Sequence, residues 1–200
     1  MQKVAALFVR HDSIYKRLEG VEAFDEERDA RTFPGGMPVV AHPSCEQWGQ
    51  LAHQAYVDPE SKALAPWAVE QVRTWGGVLE HPNRSKLWEF CGLPAPGKGL
   101  DRFGGWTLAV SQKWWGHEAE KLTLLYVVGV NPFTVSLPLT LGRAAKTCGR
   151  SGRRRDGGRN TGRKEIGKAA REHTPEAFAR FLIDLARDSE QMPGQARRRA

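Results

Sequence analysis

Cysteine is scarce in this chain, and its spacing excludes a good deal. Three cysteines, Cys45, Cys91 and Cys148, cannot all pair. With no Cys-x-x-Cys they do not make a structural zinc site, so a reduced, cytoplasmic setting is expected. No apolar run approaches the roughly 18 residues a membrane span needs, so no membrane partner is expected. The opening Met1–Phe8 moves straight into strand-like residues and lacks the long apolar stretch and small-residue cleavage site of a signal peptide. No internal repeat is present. Glycine, elsewhere plentiful, is missing from Phe8-Val9-Arg10-His11-Asp12-Ser13, directly after the first strand-like run.

What the chain does have is positive charge in one place. Its 200 residues carry a net charge of +7. Between 142 and 171 stand eleven Lys and Arg against two acids, Asp156 and Glu165, while the remainder is close to neutral. Five glycines (Gly149, Gly152, Gly157, Gly158, Gly162) loosen that segment. Such a run contacts phosphate or stays solvated.

The length suits one domain over residues 1–200. Lys3–Val9, Gly20–Asp25, Val39–Ala41 and Val78–Glu80 read as strands, with a short helix over Asp12–Leu18 capped by Asp12 or Ser13. Ser61–Trp75 reads as a helix with Pro66 in its first turn and Gly76-Gly77 as its stop. Residues 81–105 read as a long loop. Trp106–Val110 and Leu122–Val128 read as a hairpin around Trp114-Trp115. Thr174 as cap, Pro175 at the first position and Phe178, Phe181, Leu182 and Leu185 at helical spacing define a last helix within 172–190. Its apolar stripe must dock on the core, which makes 142–171 a loop inside the fold and leaves 191–200 as a polar tail. Trp67 and Trp75 read as core. Trp48, Trp88, Trp106, Trp114 and Trp115 fall in or beside loops, where one or two are expected to be exposed for base stacking. The expected class is α/β, a Rossmann-like, mostly parallel sheet with flanking helices.

Strand, loop, helix, strand makes a parallel crossover, which puts the ends of Val39–Ala41 and Val78–Glu80 on one sheet edge. Open α/β sheets keep their chemistry there. Cys45, in Pro43-Ser44-Cys45, is a candidate nucleophile, and Glu80, in Glu80-His81-Pro82, a candidate proton handler or base-edge partner. A small half-buried thiol and a solvated acid are the alternatives. A metal site of His42, Glu80 and His81 has no ligand-type spacing, so none is assigned. Arg84, Lys86, Arg102, Lys113 and Lys121 are candidate phosphate contacts.

Apolar strand then Pro-Ser-Cys, helix, apolar strand then Glu-His-Pro, then a hairpin with a basic residue before its second strand: this order resembles the cytosine-C5 DNA methyltransferases, in particular small divergent forms from phages and prophages. The resemblance implies that Cys45 adds to C6 of a flipped cytosine and that Glu80 contacts the ring nitrogen and exocyclic amine. It implies S-adenosylmethionine as methyl donor, with Asp25 and Pro43 at the cofactor, and DNA as partner. Lys121 matches the basic residue before the family's later strand. Arg150, Arg153, Arg154, Arg155, Arg159, Arg163 and Lys164 are the expected phosphate contacts. The glycine-free Phe8–Ser13 turn, where the family has a glycine-rich one, supports a second reading: a catalytically degenerate phage protein that binds a host protein or nucleic acid to counter a defence system. A third is pyrimidine nucleotide modification without S-adenosylmethionine.

Overall fold

The computed structural model describes residues 2–49, 52, 58–148 and 163–189. Six strands build the central sheet: β1 (Val4–Leu7), β2 (Val21–Phe24), β3 (Val39–Ala41), β4 (Gly77–Pro82), β5 (Trp106–Ser111) and β6 (Leu122–Val128). Their spatial order is β2-β1-β3-β4-β6-β5. The first four strands are parallel, and β6 runs antiparallel to both β4 and β5. The sheet is therefore α/β in setting and mostly parallel, compatible with the expected class, and all strands but β6 point to one carboxyl rim.

The pleat sends alternate side chains to opposite faces. Val4, Ala6, Val40, Val78, Leu125 and Val127 face α4 (Glu176–Arg187), which adds Phe178, Leu182 and Leu185. Ala5, Leu7, Val39, Leu79, Tyr126 and Val128 face α1 (Pro59–Trp75), which adds Ala65, Ala68, Val69 and Val72. Covered on both sides, the strands read as near-continuous apolar runs. Leu182 is fully buried. Leu182→Ala is expected to cost about 3 kcal/mol, seen as a lower urea midpoint with an unchanged slope; a midpoint within error of wild type would show that α4 does not close this face.

Two helices start elsewhere than expected. Asp58 caps α1 by accepting from the Glu60 N–H at 3.1 Å, and Pro59 takes the first position. Pro66 therefore sits inside the helix, not in its first turn. In α4 the cap position falls on Pro175 and no side chain caps the helix, so Thr174 does not serve as cap. The short helix after β1 is a 3-10 turn, Ile14–Arg17, capped by Ser13. The stretch read as a long loop contains the end of β4 and one turn of helix, α2 (Leu87–Phe90).

No loop tryptophan is exposed: Trp48, Trp88, Trp106 and Trp115 are buried and Trp114 is half-buried, while Trp67 and Trp75 of α1 pack against the core as expected, each partly buried. Trp88 donates Nε1–H to Thr107 at 2.9 Å and Trp106 to the Val130 carbonyl at 2.8 Å. Trp88 and Trp106 fill seams between strands and loops where their N–H groups find a partner; loop position in the sequence carries no such information.

The basic segment begins and ends in a small parallel ladder of β7 (Lys146–Thr147) and β8 (Lys164–Glu165), after which α3 (Lys168–Glu172) leads to α4. The ladder joins the two described ends of the segment. No helix of the described residues is long and apolar enough to cross a membrane. On the outer edge, Lys3 and Arg28 both pair with Glu22 of β2, at 3.0 and 3.4 Å, placing charge along the edge strand.

Candidate functional site

The strand order reverses between β1 and β3, the switch point where open α/β sheets bind ligands. Beside it, residues from the chain after β1, β3 and β4 are joined by hydrogen bonds. His42 follows β3, and its N–H bonds the Leu7 carbonyl at 3.0 Å. The ring lies between two partners: Nε2 is 2.8 Å from the Tyr15 hydroxyl and Nδ1 is 3.0 Å from Glu80 Oε2. Tyr15 is buried, and burial followed by the Glu80 charge pushes its pKa well above the usual value. The phenol therefore keeps its proton, and because an ionised Glu80 carboxylate can only accept, the His42 Nδ1–H donates to it.

Glu80 ends this chain from β4. Gln112, just past β5, donates Nε2–H to Glu80 Oε1 at 3.2 Å and to Thr123 of β6 at 3.0 Å. Burial alone raises the Glu80 pKa, but the His42 hydrogen bond and the charge of Lys121 outweigh it and hold the carboxyl down at about 2. Glu80 is thus an ionised carboxylate, oriented from both sides, with its side chain 10% exposed.

Cys45 sits on the turn after β3, its carbonyl accepting from Trp48 N–H at 3.1 Å and Gly49 N–H at 2.9 Å. Its thiol and the Glu80 carboxylate feel one another: desolvation and then Glu80 raise the thiol pKa, and Lys121 opposes them. Strand order puts Cys45, Glu80 and Lys121 on the same carboxyl rim, within electrostatic reach of one another. A raised pKa keeps the thiol protonated at neutral pH, the opposite of what an activated nucleophile requires. Lys121 itself donates to the His173 carbonyl at 3.3 Å. His81 points to the other sheet face beside Trp88, with ring centroids 6.4 Å apart. Burial lowers its pKa to about 4, against the opposing pull of Glu80 and the Ser44 backbone.

The residues expected at the cofactor fit S-adenosylmethionine poorly. The Asp25 carboxylate is ion-paired with Lys16 and accepts from the N–H groups of Glu27 and Arg28 at 3.1 and 3.0 Å, which hold its pKa at about 2. The same carboxylate lines an open groove of about 520 Å³ on the β2 edge, with Lys16, Val21, Ala23, Glu27 and Arg28. Phe8 occupies the position after β1 with φ +60°, a left-handed conformation that favours glycine, and its ring packs edge-on against Trp67 at 5.9 Å. Arg10 closes the turn by pairing with Asp12 at 2.9 Å and Glu172 at 3.0 Å. Pro43 is buried between His42 and the Cys45 turn.

Of the expected phosphate contacts, Arg150, Arg153, Arg154, Arg155 and Arg159 lie outside the described residues. Arg163 pairs with Glu120 at 3.1 Å and donates to the Ala144 carbonyl at 3.1 Å, so it braces the foot of the basic segment. Lys164 is exposed on β8. Lys113 is turned to the carbonyls of Leu141 and Gly142, and Arg102 lies over the Phe103 ring at 4.7 Å. Among the described residues no group of three or more His, Cys, Asp or Glu is placed to hold a metal ion.

The sequence points to Cys45, Glu80 and Lys121 as candidates but not to the residues that orient Glu80. His42 carries a signal, a histidine directly after a strand on the Cys45 side. Gln112, at the first position past β5, carried a weaker one, and Tyr15 and Thr123 carried none. Comparison of the chain with protein-family models, curated proteins and solved structures finds no match.

Proposed function

We propose that this chain is a DNA-binding protein of cytosine-C5-methyltransferase-like design that takes an exposed or extruded cytosine at its carboxyl rim and holds it without transferring a methyl group. The observation that carries this reading is the Glu80 carboxylate, ionised and fixed between His42 and Gln112 beside Cys45. A fixed carboxylate accepts a hydrogen bond from the exocyclic amine of cytosine and repels the carbonyl that thymine presents at the same place. A base must leave the stack to reach such a rim. The basic segment supplies sequence-independent attraction to phosphate. Two features favour holding over transfer: the raised pKa of the thiol, and Phe8 in place of a glycine on the turn after β1.

The test uses a duplex carrying 5-fluorocytosine, with and without S-adenosylmethionine. Salt-dependent binding, a silent calorimetric titration with S-adenosylmethionine and no denaturant-resistant adduct are expected. An adduct formed by the wild type and absent from Cys45→Ala would make the protein an active methyltransferase instead. Absence of DNA binding at any salt would remove both readings and leave the protein-binding alternative.

A further inference from the structure

Several cations near the carboxyl rim are already engaged. Lys121 donates to the His173 carbonyl, Lys113 to the carbonyls of Leu141 and Gly142, and Arg10 pairs with Asp12 and Glu172. Arg84 and Lys86 are not. They stand on the turn after β4, just past Glu80, and both are exposed. Neither side chain has an ion pair or a hydrogen bond among the described residues. The turn that carries them is tied down at four points. Asn83 N–H bonds the Leu122 carbonyl at 3.0 Å and Ser85 N–H the Pro82 carbonyl at 3.1 Å. Lys86 N–H bonds the Trp48 carbonyl at 2.9 Å, and Trp48 N–H bonds the Cys45 carbonyl at 3.1 Å. The cation pair, the end of β4 and the Cys45 turn are therefore one hydrogen-bonded unit. Arg84 itself has φ +66°, a conformation that favours glycine. A long side chain on such a backbone points to a use for it rather than to the needs of the turn.

We propose that Arg84 and Lys86 bind the phosphate of the nucleotide whose base meets Glu80. This inference rests on the DNA-binding reading above and adds the contact that positions the nucleotide. A carboxylate that takes a base edge fixes one end of a nucleotide, and the other end is an anion. The planar fork of Arg84 matches two phosphate oxygens, and Lys86 adds a point charge. Because the pair is tied to the strand end that carries Glu80, a phosphate held there sets the place of the base without reading its identity. A DNA strand and a free nucleotide present the same phosphate chemistry, and the experiment separates them.

Binding of a duplex with one mispaired cytosine is measured by fluorescence anisotropy across a salt series, and binding of cytidine 5′-monophosphate and of cytidine by calorimetry. The proteins are the wild type, R84Q/K86Q and K98Q/R102Q. The last variant removes the same charge from the loop before β5. All four positions are exposed, so the fold is retained, and far-ultraviolet circular dichroism verifies it. R84Q/K86Q is expected to lower the slope of log affinity against log salt by about 2, roughly one for each cation removed, and K98Q/R102Q to leave it at the wild-type value. An unchanged slope, with a preference for cytidine 5′-monophosphate over cytidine that only R84Q/K86Q loses, supports the site and makes a free nucleotide the source of the phosphate. Equal slopes in all three proteins without such a preference, or equal flattening in both variants, overturn the site and leave the DNA-binding reading standing. A wild type that binds neither the duplex nor the nucleotide at low salt overturns both.

Discussion

Gly77→Ala is expected to prevent accumulation of folded protein. Gly77 opens β4 with φ +109°, a conformation that side-chain-bearing residues rarely adopt. A Cβ there would lie 2.1 Å from the Val39 carbonyl oxygen and 2.7 Å from the Val39 nitrogen. Both are backbone atoms of β3, and both are held: Val39 pairs with Gly77 in the parallel ladder and its N–H bonds the Gly76 carbonyl at 3.0 Å. No rotamer change relieves such a contact, so β3 and β4 must separate. The expected loss is about 4 kcal/mol or more, comparable to the whole stability of a marginal domain. Soluble yield and circular dichroism read the outcome. A folded Gly77→Ala protein with wild-type stability would mean that β3 and β4 are not paired in this register, and the rim site would lose its geometry with them. Gly167→Ala is the control, since its φ of −69° suits any residue and nothing lies within 4 Å of its Cβ position.

Glu80→Gln is expected to weaken the fold at neutral pH and to flatten its response to acid. The carboxylate accepts from two donors, His42 Nδ1–H and Gln112 Nε2–H. A glutamine presents one acceptor and one donor, so one of those hydrogen bonds becomes a donor facing a donor. The expected cost is about 2–3 kcal/mol, as for the loss of a buried hydrogen bond to a charged group. The sign of the pH effect follows from the depressed pKa. The folded-state value of about 2 lies below the ordinary carboxylate value of roughly 4.3 in the unfolded chain. Glu80 therefore adds stability that is fully present above pH ~4.3 and is lost as pH falls toward 2. Urea unfolding between pH 6 and pH 3 should show a shallower decline in Glu80→Gln than in the wild type. Parallel declines would show that Glu80 is not ionised in the folded protein, and the cytosine reading would lose its acceptor.

The elements most legible in the sequence are those whose signals are local. β3 matches its reading residue for residue because Val39-Val40-Ala41 is bounded by Pro38 and Pro43, and the β5–β6 hairpin follows from two β-branched runs either side of a polar turn. Placement of Cys45 and Glu80 at a common rim follows from the crossover rule, which needs only strand order. The helix starts were less legible, since Pro66 read as a first-turn signal competes with Asp58-Pro59, and only the completed structure shows that α1 tolerates an internal proline. The Tyr15–His42–Glu80–Gln112 chain was not legible at all. Its members come from four separate segments, brought together by the β1–β3 switch and by the antiparallel entry of β6 between β4 and β5. Tryptophan burial failed for a related reason: the seams that Trp88 and Trp106 fill exist only once distant strands are paired.

The last helix has a consequence for synthesis. During translation β1 through β4 and α1 leave the ribosome well before α4, so one side of the sheet can be covered early while Val4, Ala6, Val40 and Val78 wait for Phe178, Leu182 and Leu185. Trp115 lies against Phe178 and Phe181, with ring centroids 4.9 and 4.6 Å away, so its indole emission reports the moment of closure. The nascent chain thus carries an uncovered greasy surface for most of its emergence, the stage at which chaperone capture or misassociation competes with completion of the fold.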